Sequence, residues 1–260
     1  MHLGHVFSAL TGWRRARESG GRFLLRLEDI DPGRCRPAFA AGIVEDLRWL
    51  GIDWDGPIRV QSAHLAEYRA VLDGLSARGL LYPCFCTRAD IAQSAAAPHG
   101  PDGAPVYPGT CRKLPDDIRA ERRAAGVPHA LRLDMGRAIA EAGPLRFTDE
   151  RAGVIRCDPA AFGDVVLARK DIPASYHLCA THDDAVQGVT LVTRGEDLLA
   201  ATHVQRLLQA LQNWPEPRYL HHVLRTNPAG SRLAKRDSSA SIRNMREAGL
   251  SPAEVIARAG

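Results

Sequence analysis

Apolar residues keep helical and strand periods up to residue 82, lose them between 83 and 160, and recover them from 161 onward. Val6, Phe7, Leu10 and Trp13 recur at helical spacing and Gly20-Gly21 ends the pattern, which predicts a helix over 4–19. The run RFLLRLE at 22–28 reads as a strand, and the turn signals Asp31, Pro32 and Gly33 lead to a helix near 39–50. A further helix is predicted over 63–78. Beyond the gap, strands over 164–168 and 188–193, a helix over 198–212 and a strand near 219–224 resume the alternation. Ser251, Pro252 and Glu254 match a capping box with Pro at the first helical position of a short last helix. Alternating strands and helices imply an α/β domain around a parallel sheet. Its halves, residues 1–82 and 161–224, are split by an inserted subdomain over 83–160, and residues 225–260 form a loop and a short helical part.

A length of 260 residues accommodates one such domain with its insertion. No run approaches the roughly 18 apolar residues a membrane span needs, and Met1-His2-Leu3-Gly4-His5 lacks the basic and apolar stretches of a secretory signal. A cytoplasmic protein with no membrane partner is expected. The formal charge of +4 permits a polyanionic partner without requiring one. Of 34 basic residues only Lys113, Lys170 and Lys235 are lysine. Arginine can serve most surface roles of lysine, so each lysine prompts the question of why it is one. Six cysteines lie at 35, 84, 86, 111, 157 and 179, and three of them crowd into one short region, which in a cytosolic protein suggests a metal before a disulfide.

His2-Leu3-Gly4-His5 sits at a predicted helix start, where Gly4 allows close backbone approach, unpaired N–H groups attract phosphate, and the imidazoles can donate to phosphate oxygens. Far along the chain, Arg232-Leu233-Ala234-Lys235-Arg236-Asp237 follows Asn227, Pro228, Ala229, Gly230 and Ser231, a loop-like stretch that delivers a lysine. Cys84-Phe85-Cys86 with Cys111 offers three thiolates suited to tetrahedral Zn²⁺, and a fourth ligand is missing from that set.

In this order, HLGH and RLAKR resemble the HIGH and KMSKS signatures of class I aminoacyl-tRNA synthetases. The resemblance implies a Rossmann-type sheet and the use of ATP with Mg²⁺. It assigns ATP binding to His2, Gly4, His5 and Lys235, with His2, His5 and Lys235 acting in catalysis. Lys235 would stabilise charge as the amino-acid carboxylate attacks the α-phosphate, chemistry that needs positioning and positive charge more than a general base. Arg26-Leu27-Glu28-Asp29-Ile30-Asp31, Ser175-Tyr176-His177-Leu178 and the stretch from Gly188 to Leu199 resemble the RLEDTD, SYQL and GVTHVIRGEDLL segments of the glutamyl and glutaminyl branch. Carried over, Glu28, Tyr176 and Arg194 would bind L-glutamate, with Arg194 a natural bidentate partner for its side-chain carboxylate.

The cysteine cluster and the close of the chain 25 residues after Lys235, with no room for an anticodon-reading helical domain, resemble the glutamyl-queuosine tRNA(Asp) synthetase family. Members attach glutamate to queuosine in the anticodon of tRNA(Asp) instead of to a tRNA 3′ end. In that family a corresponding tyrosine completes the zinc site, which implies Cys84, Cys86, Tyr107 and Cys111 as ligands, with His99 or water as competing fourth donors. A monomer is expected. The family places a strand and a segment like RFAPSPTGxLHLGH before and into the first motif, and here only HLGH stands. The expectation is that the natural chain starts about two dozen residues upstream. His182 stands where the family usually has an apolar residue. The competing readings are a glutamyl-tRNA synthetase fragment charging tRNA(Glu), a catalytically inactive tRNA-binding paralogue, and a different nucleotidyltransferase with similar motifs.

Overall fold

The computed structural model describes residues 1–93, 99–225 and 241–260. In chain order the helices and strands are α1 (Leu3–Glu18), β1 (Arg26–Leu27), α2 (Pro37–Trp49), β2 (Arg59–Val60), α3 (Leu65–Ala77), β3 (Leu81–Cys84), α4 (Arg88–Gln93), α5 (Asp116–Ala124), β4 (Ala130–Leu133), α6 (Met135–Ala142), β5 (Arg146–Asp149), β6 (Gly153–Arg156), β7 (Val166–Ala168), α7 (Tyr176–Val186), β8 (Leu191–Gly195), α8 (Ala201–Gln212), β9 (Arg218–His222), α9 (Ile242–Glu247) and α10 (Pro252–Ala259). They divide into two compact units. One comprises Met1–Gln61, Leu191–Leu198 and Tyr219–Gly260, and the other Ser62–Thr190 and Leu199–Arg218. No helix among the described residues is long and apolar enough to cross a membrane.

In the first unit, Val6 and Leu10 of α1 pack with Leu47, Leu50, Ile52, Ile242, Val255 and Ala259 in one core. The apolar stripe read from the sequence is therefore the buried face of α1. Mid-helix Gly12 has a packing reason: a Cβ there would lie 2.6 Å from Thr193 Oγ1 on β8 and 3.1 Å from the Phe23 ring. Close approach of α1 to β8 thus offsets the ~1 kcal/mol that glycine costs inside a helix. Strand β1 is shorter than the predicted 22–28. Its parallel ladder with β2 pairs only Arg26 with Arg59 and Leu27 with Val60. Upstream, the Phe23 N–H donates instead to the Asp55 carboxylate at 2.8 Å, and a side chain cannot propagate a ladder. The predicted last helix is α10, and Ser251 and Glu254 close its capping box.

In the second unit β3, β4 and β7 form a three-stranded antiparallel sheet, with Leu81 opposite Leu133 and Cys84 opposite Ala130. β5 and β6 form an antiparallel hairpin pairing Arg146 with Arg156. The expected parallel sheet is thus corrected to mixed sheets, with β1 and β2 parallel and the β3–β4–β7 and β5–β6 pairings antiparallel. A connection as short as the β5–β6 turn can only return the chain antiparallel. The aperiodic stretch also holds helices α5 and α6 that the pattern did not predict. α5, DDIRAERRA, buries no residue and so has no apolar stripe to betray it. His182, 7% exposed, explains its own position: its Nδ1 lies 3.3 Å from Asp183 Oδ1 and its Nε2 3.8 Å from Glu67 Oε2. Asp183 also accepts from the Tyr68 hydroxyl at 2.9 and 3.0 Å, so an apolar residue at 182 would remove a member of a buried polar network.

His203 of α8 accepts the Asp158 N–H at Nδ1, 3.0 Å away, and its ring meets Phe147 edge-on. An accepting Nδ1 requires a neutral ring, and burial pushes this histidine below its ordinary value of 6.5. The unfolded chain therefore takes up the proton first as pH falls. The stabilisation is fully present above about 6.5 and is lost as pH falls from there toward the lower folded value. Melting temperatures measured across this window should decline, and His203→Gln should flatten the decline. An unchanged slope in the variant would assign the decline to other groups.

Candidate active site and metal centre

The start of α1 gathers the first motif. The His2 and His5 rings stack with centroids 3.6 Å apart, and the His2 N–H donates to His5 Nδ1 at 3.3 Å. A Cβ at Gly4 would come within 3.1 Å of the His2 ring, so glycine leaves room for the stack. Two imidazoles and the N–H groups of a helix N-terminus share one end, an arrangement that favours phosphate. One turn on, Ser8 Oγ lies 3.0 Å from His222 Nε2 of β9. Ser241 pairs with His2 in a β-bridge, and the Ile242 N–H donates to Met1 O at 2.9 Å. Ser241 and Ile242 thus lie beside the histidine pair. Lys235 and the rest of the RLAKR motif lie outside the described residues.

Arg194 of β8 is 8% exposed. Its Nε donates to His221 Nε2 on β9 at 3.1 Å, and its guanidinium lies 5.4 Å from the centroid of the Tyr219 ring. That bond places the acceptor lone pair on Nε2 and the proton of a neutral His221 on Nδ1. The rings of Tyr219 and His221 stack at 5.7 Å with an interplanar angle of 11°. His221 is a functional candidate that the sequence reading missed. The available signal was its two-residue spacing from Tyr219 on a strand, which puts both on one face.

Glu28 follows β1 and is exposed, with Oε1 accepting from Arg26 Nη2 at 3.2 Å and from Arg26 Nε at 3.3 Å. The acidic turn beyond it is held by Asp31, whose Oδ1 accepts from the Gly33 N–H at 3.1 Å. Tyr176 belongs to the second unit, where it is the first residue of α7 and partly exposed. The N-cap before it, Ser175, accepts from the Leu178 N–H at 3.4 Å.

Also in the second unit, the Sγ atoms of Cys84, Cys86 and Cys111 lie within 4.8 Å of one another, the one such gathering of metal-binding side chains among the described residues. Strand β3 ends at Cys84, and Cys111 opens a short 3₁₀ turn. Cys86 Sγ is 3.5 Å from both Cys111 Sγ and the Tyr107 hydroxyl, which also accepts the Cys111 N–H at 2.8 Å. Burial pushes the Cys86 thiol up to about 11, and burial with sulfur neighbours raises the Tyr107 phenol. Cys111 resists its own burial: hydrogen bonds from Tyr107, the Phe85 N–H and Cys86 hold it below its ordinary value. His99, the rival fourth donor, is outside the gathered set and bridges to Pro105. Three convergent sulfurs beside a phenol oxygen fit a tetrahedral soft-metal site.

The family profile described as tRNA synthetases class I (E and Q), catalytic domain, matches residues 1–259. The crystal structure of a glutamate tRNA ligase from Elizabethkingia meningosepticum, in complex with its amino acid, aligns with a TM-score of 0.76 at 26% identity. The alignment covers 92% of this chain and 50% of that one, so the chain spans about half the length of that ligase. The fold and the histidine-marked helix start are those of a class I aminoacyl-tRNA synthetase catalytic domain, a ligase. Within that class the chain belongs to the glutamate and glutamine family. Glutamyl-Q tRNA(Asp) synthetase of Rhodobacter capsulatus is 48% identical over 265 residues, 98% of this chain and 94% of that protein. The protein of the same name from Nocardia farcinica is 47% identical, covering 99% of this chain and 79% of its own length.

Proposed function

We propose that this chain activates L-glutamate with ATP and transfers the glutamyl group to queuosine in the anticodon of tRNA(Asp). The observation that carries this reading is near-complete alignment at 47–48% identity with proteins named glutamyl-Q tRNA(Asp) synthetase. In the first step a glutamate carboxylate oxygen bonds to the α-phosphorus of ATP and pyrophosphate leaves. In the second an acceptor hydroxyl on the RNA takes the glutamyl carbonyl and AMP leaves. His2, His5 and the α1 N-terminus hold phosphates, Arg194 takes the side-chain carboxylate of glutamate, and Glu28 and Tyr176 complete its recognition. Lys235 supplies charge at the transition state. Cys84, Cys86, Cys111 and Tyr107 hold a structural zinc ion, which when bound cross-links the inserted subdomain over 83–160.

Radiolabelled glutamate transfer tests the reading, with tRNA(Asp) with and without queuosine set against tRNA(Glu). Label confined to queuosine-containing tRNA(Asp) is the expected result. Label on tRNA(Glu) would make this a conventional charging enzyme. That alternative draws on the glutamate–tRNA ligase 2 of Alkalilimnicola ehrlichii, 39% identical over 98% of this chain. Lys235→Ala should lower glutamate-dependent ATP–pyrophosphate exchange by about 100- to 1000-fold, the usual effect of removing one group that stabilises transition-state charge. Exchange within a factor of two of the parent would remove Lys235 from the mechanism.

A further inference from the structure

In the second unit a cleft of about 410 Å³ lies between α5 on one side and β3 with the start of α6 on the other, and it is lined by Arg112, Arg119, Arg123 and Arg137 with Asp116 and Asp134. We propose that this cleft binds the phosphate backbone of the RNA substrate, an inference that rests on the acceptor being an RNA, as read above.

The charges do not cancel locally. Asp134 caps α6, accepting the Arg137 N–H at 3.1 Å, and its one carboxylate is shared between the guanidinium groups of Arg137 at 3.7 Å and Arg112 at 3.9 Å. Arg112 is anchored at the cleft by Asp164, 3.0 Å away and nearly fully buried. Arg119 pairs with Asp116, whose side chain is 90% exposed. Such an exposed surface pair is weak, so an arriving phosphate can displace it. Arg123 has no ion-pair partner among the described residues, and it sits one helical turn from Arg119 on the same face of α5. Guanidinium groups on both walls therefore face a groove whose acids are either spoken for or readily exchanged.

The lining also tells backbone from base. Its one aromatic residue is Tyr82, which is buried with its hydroxyl bonded to Asp164 Oδ2 at 2.5 Å. No ring is free to stack on a base, whereas planar forks suited to phosphate are plentiful. Such contacts set affinity and orientation and read no sequence. They complement an active site that must choose one modified base.

The test uses the double variant Arg119→Gln/Arg123→Gln and, separately, Arg137→Gln, whose exposed side chain guards against a folding artefact. Thermal melts verify each fold. Anisotropy of a fluorescent tRNA(Asp) transcript is followed across a salt series. For the double variant the dissociation constant should rise about 10-fold or more, and the slope of log affinity against log salt should fall by roughly 1.4–1.8, or 0.7–0.9 for each phosphate no longer neutralised. Arg137→Gln should show about half the effect. Unchanged affinity and slope in both variants would overturn the proposal. So would displacement of the RNA by inorganic phosphate at matched ionic strength, which would mark a site for a free phosphate. If the parent transfers no glutamate to queuosine-containing tRNA while the variants still lose RNA affinity, the functional reading fails and the cleft stands. If transfer succeeds and affinity does not move, the reverse holds.

Discussion

Arg194→Ala is expected to lower kcat/KM for glutamate in ATP–pyrophosphate exchange by about 100-fold, mostly through KM. The side chain is 8% exposed, so a substrate carboxylate meeting it is largely desolvated. Charge-assisted hydrogen bonds in that setting contribute about 1.5–3 kcal/mol each. Two of them, discounted for the desolvation of both partners, give roughly 2.7 kcal/mol, the energy of a 100-fold change. Lysine should restore little, because a point charge cannot form the fork and loses the stack on Tyr219. On the proposed reading of Arg194, His221 acts through it as a positioning residue. His221→Phe keeps a ring beside Tyr219 but removes the acceptor for Nε. It should raise the KM for glutamate several-fold while kcat at saturation stays close to the parent value. A carboxylate-reading arginine also predicts that Arg194→Ala narrows the preference for glutamate over glutamine. A KM and preference equal to the parent's would leave Arg194 as a tie between β8 and β9 and nothing more.

The elements legible in the sequence were those whose pattern comes from burying one face. α1, α3, α8 and α10 lie within a few residues of their predicted spans because Val6, Leu10, Tyr68, Leu72, Val204, Leu208 and Val255 face cores. α5 escaped because its nine residues bury nothing. β1 contracted to two residues because Asp55 takes the amide that would have extended its ladder. The grouping of the first motif was legible in a different way, since His2, Gly4 and His5 are near neighbours in sequence and share one helix end. The Cys84, Cys86 and Cys111 gathering was half visible: the spacing names the sulfurs, while their convergence depends on β3 and the turn at Cys111. His221 was hidden because nothing marks a histidine on a strand as the partner of an arginine on another strand. The four-arginine cleft was hidden for the same reason, since Arg112 and Arg137 are 25 residues apart and meet only through the fold.

Cys84→Ser should produce the largest change in the second unit, first in metal content and then in stability. Loss of a hydrogen-bond partner behind a metal ligand already weakens binding ~10- to 100-fold, and loss of a ligand exceeds that. A 100-fold loss corresponds to about 2.7 kcal/mol, which for a protein of this size lowers Tm by roughly 5–11 °C. The binding energy is also folding energy, because the three sulfurs come from the end of β3, from Cys86 just past it and from a turn 25 residues beyond Cys86, and the unfolded chain does not hold them together. Tyr107→Phe keeps the ring under Arg132, whose guanidinium lies 3.8 Å from its centroid, and removes only the oxygen. It should retain metal with lower affinity, and retention at undiminished affinity would give the fourth position to water. The effect should extend to RNA. Arg112 directly follows Cys111, Leu114 packs on the cysteine cluster, and α5 leans on it through Arg122, 5.4 Å from the centroid of the Phe85 ring. Chelating the metal should therefore weaken tRNA binding along with the melting temperature. Metal analysis of the purified protein and of Cys84→Ser decides the matter first. Equal metal content in both would dissolve the site, and metal lost with no fall in Tm would leave the thiols bound to an ion that holds nothing together.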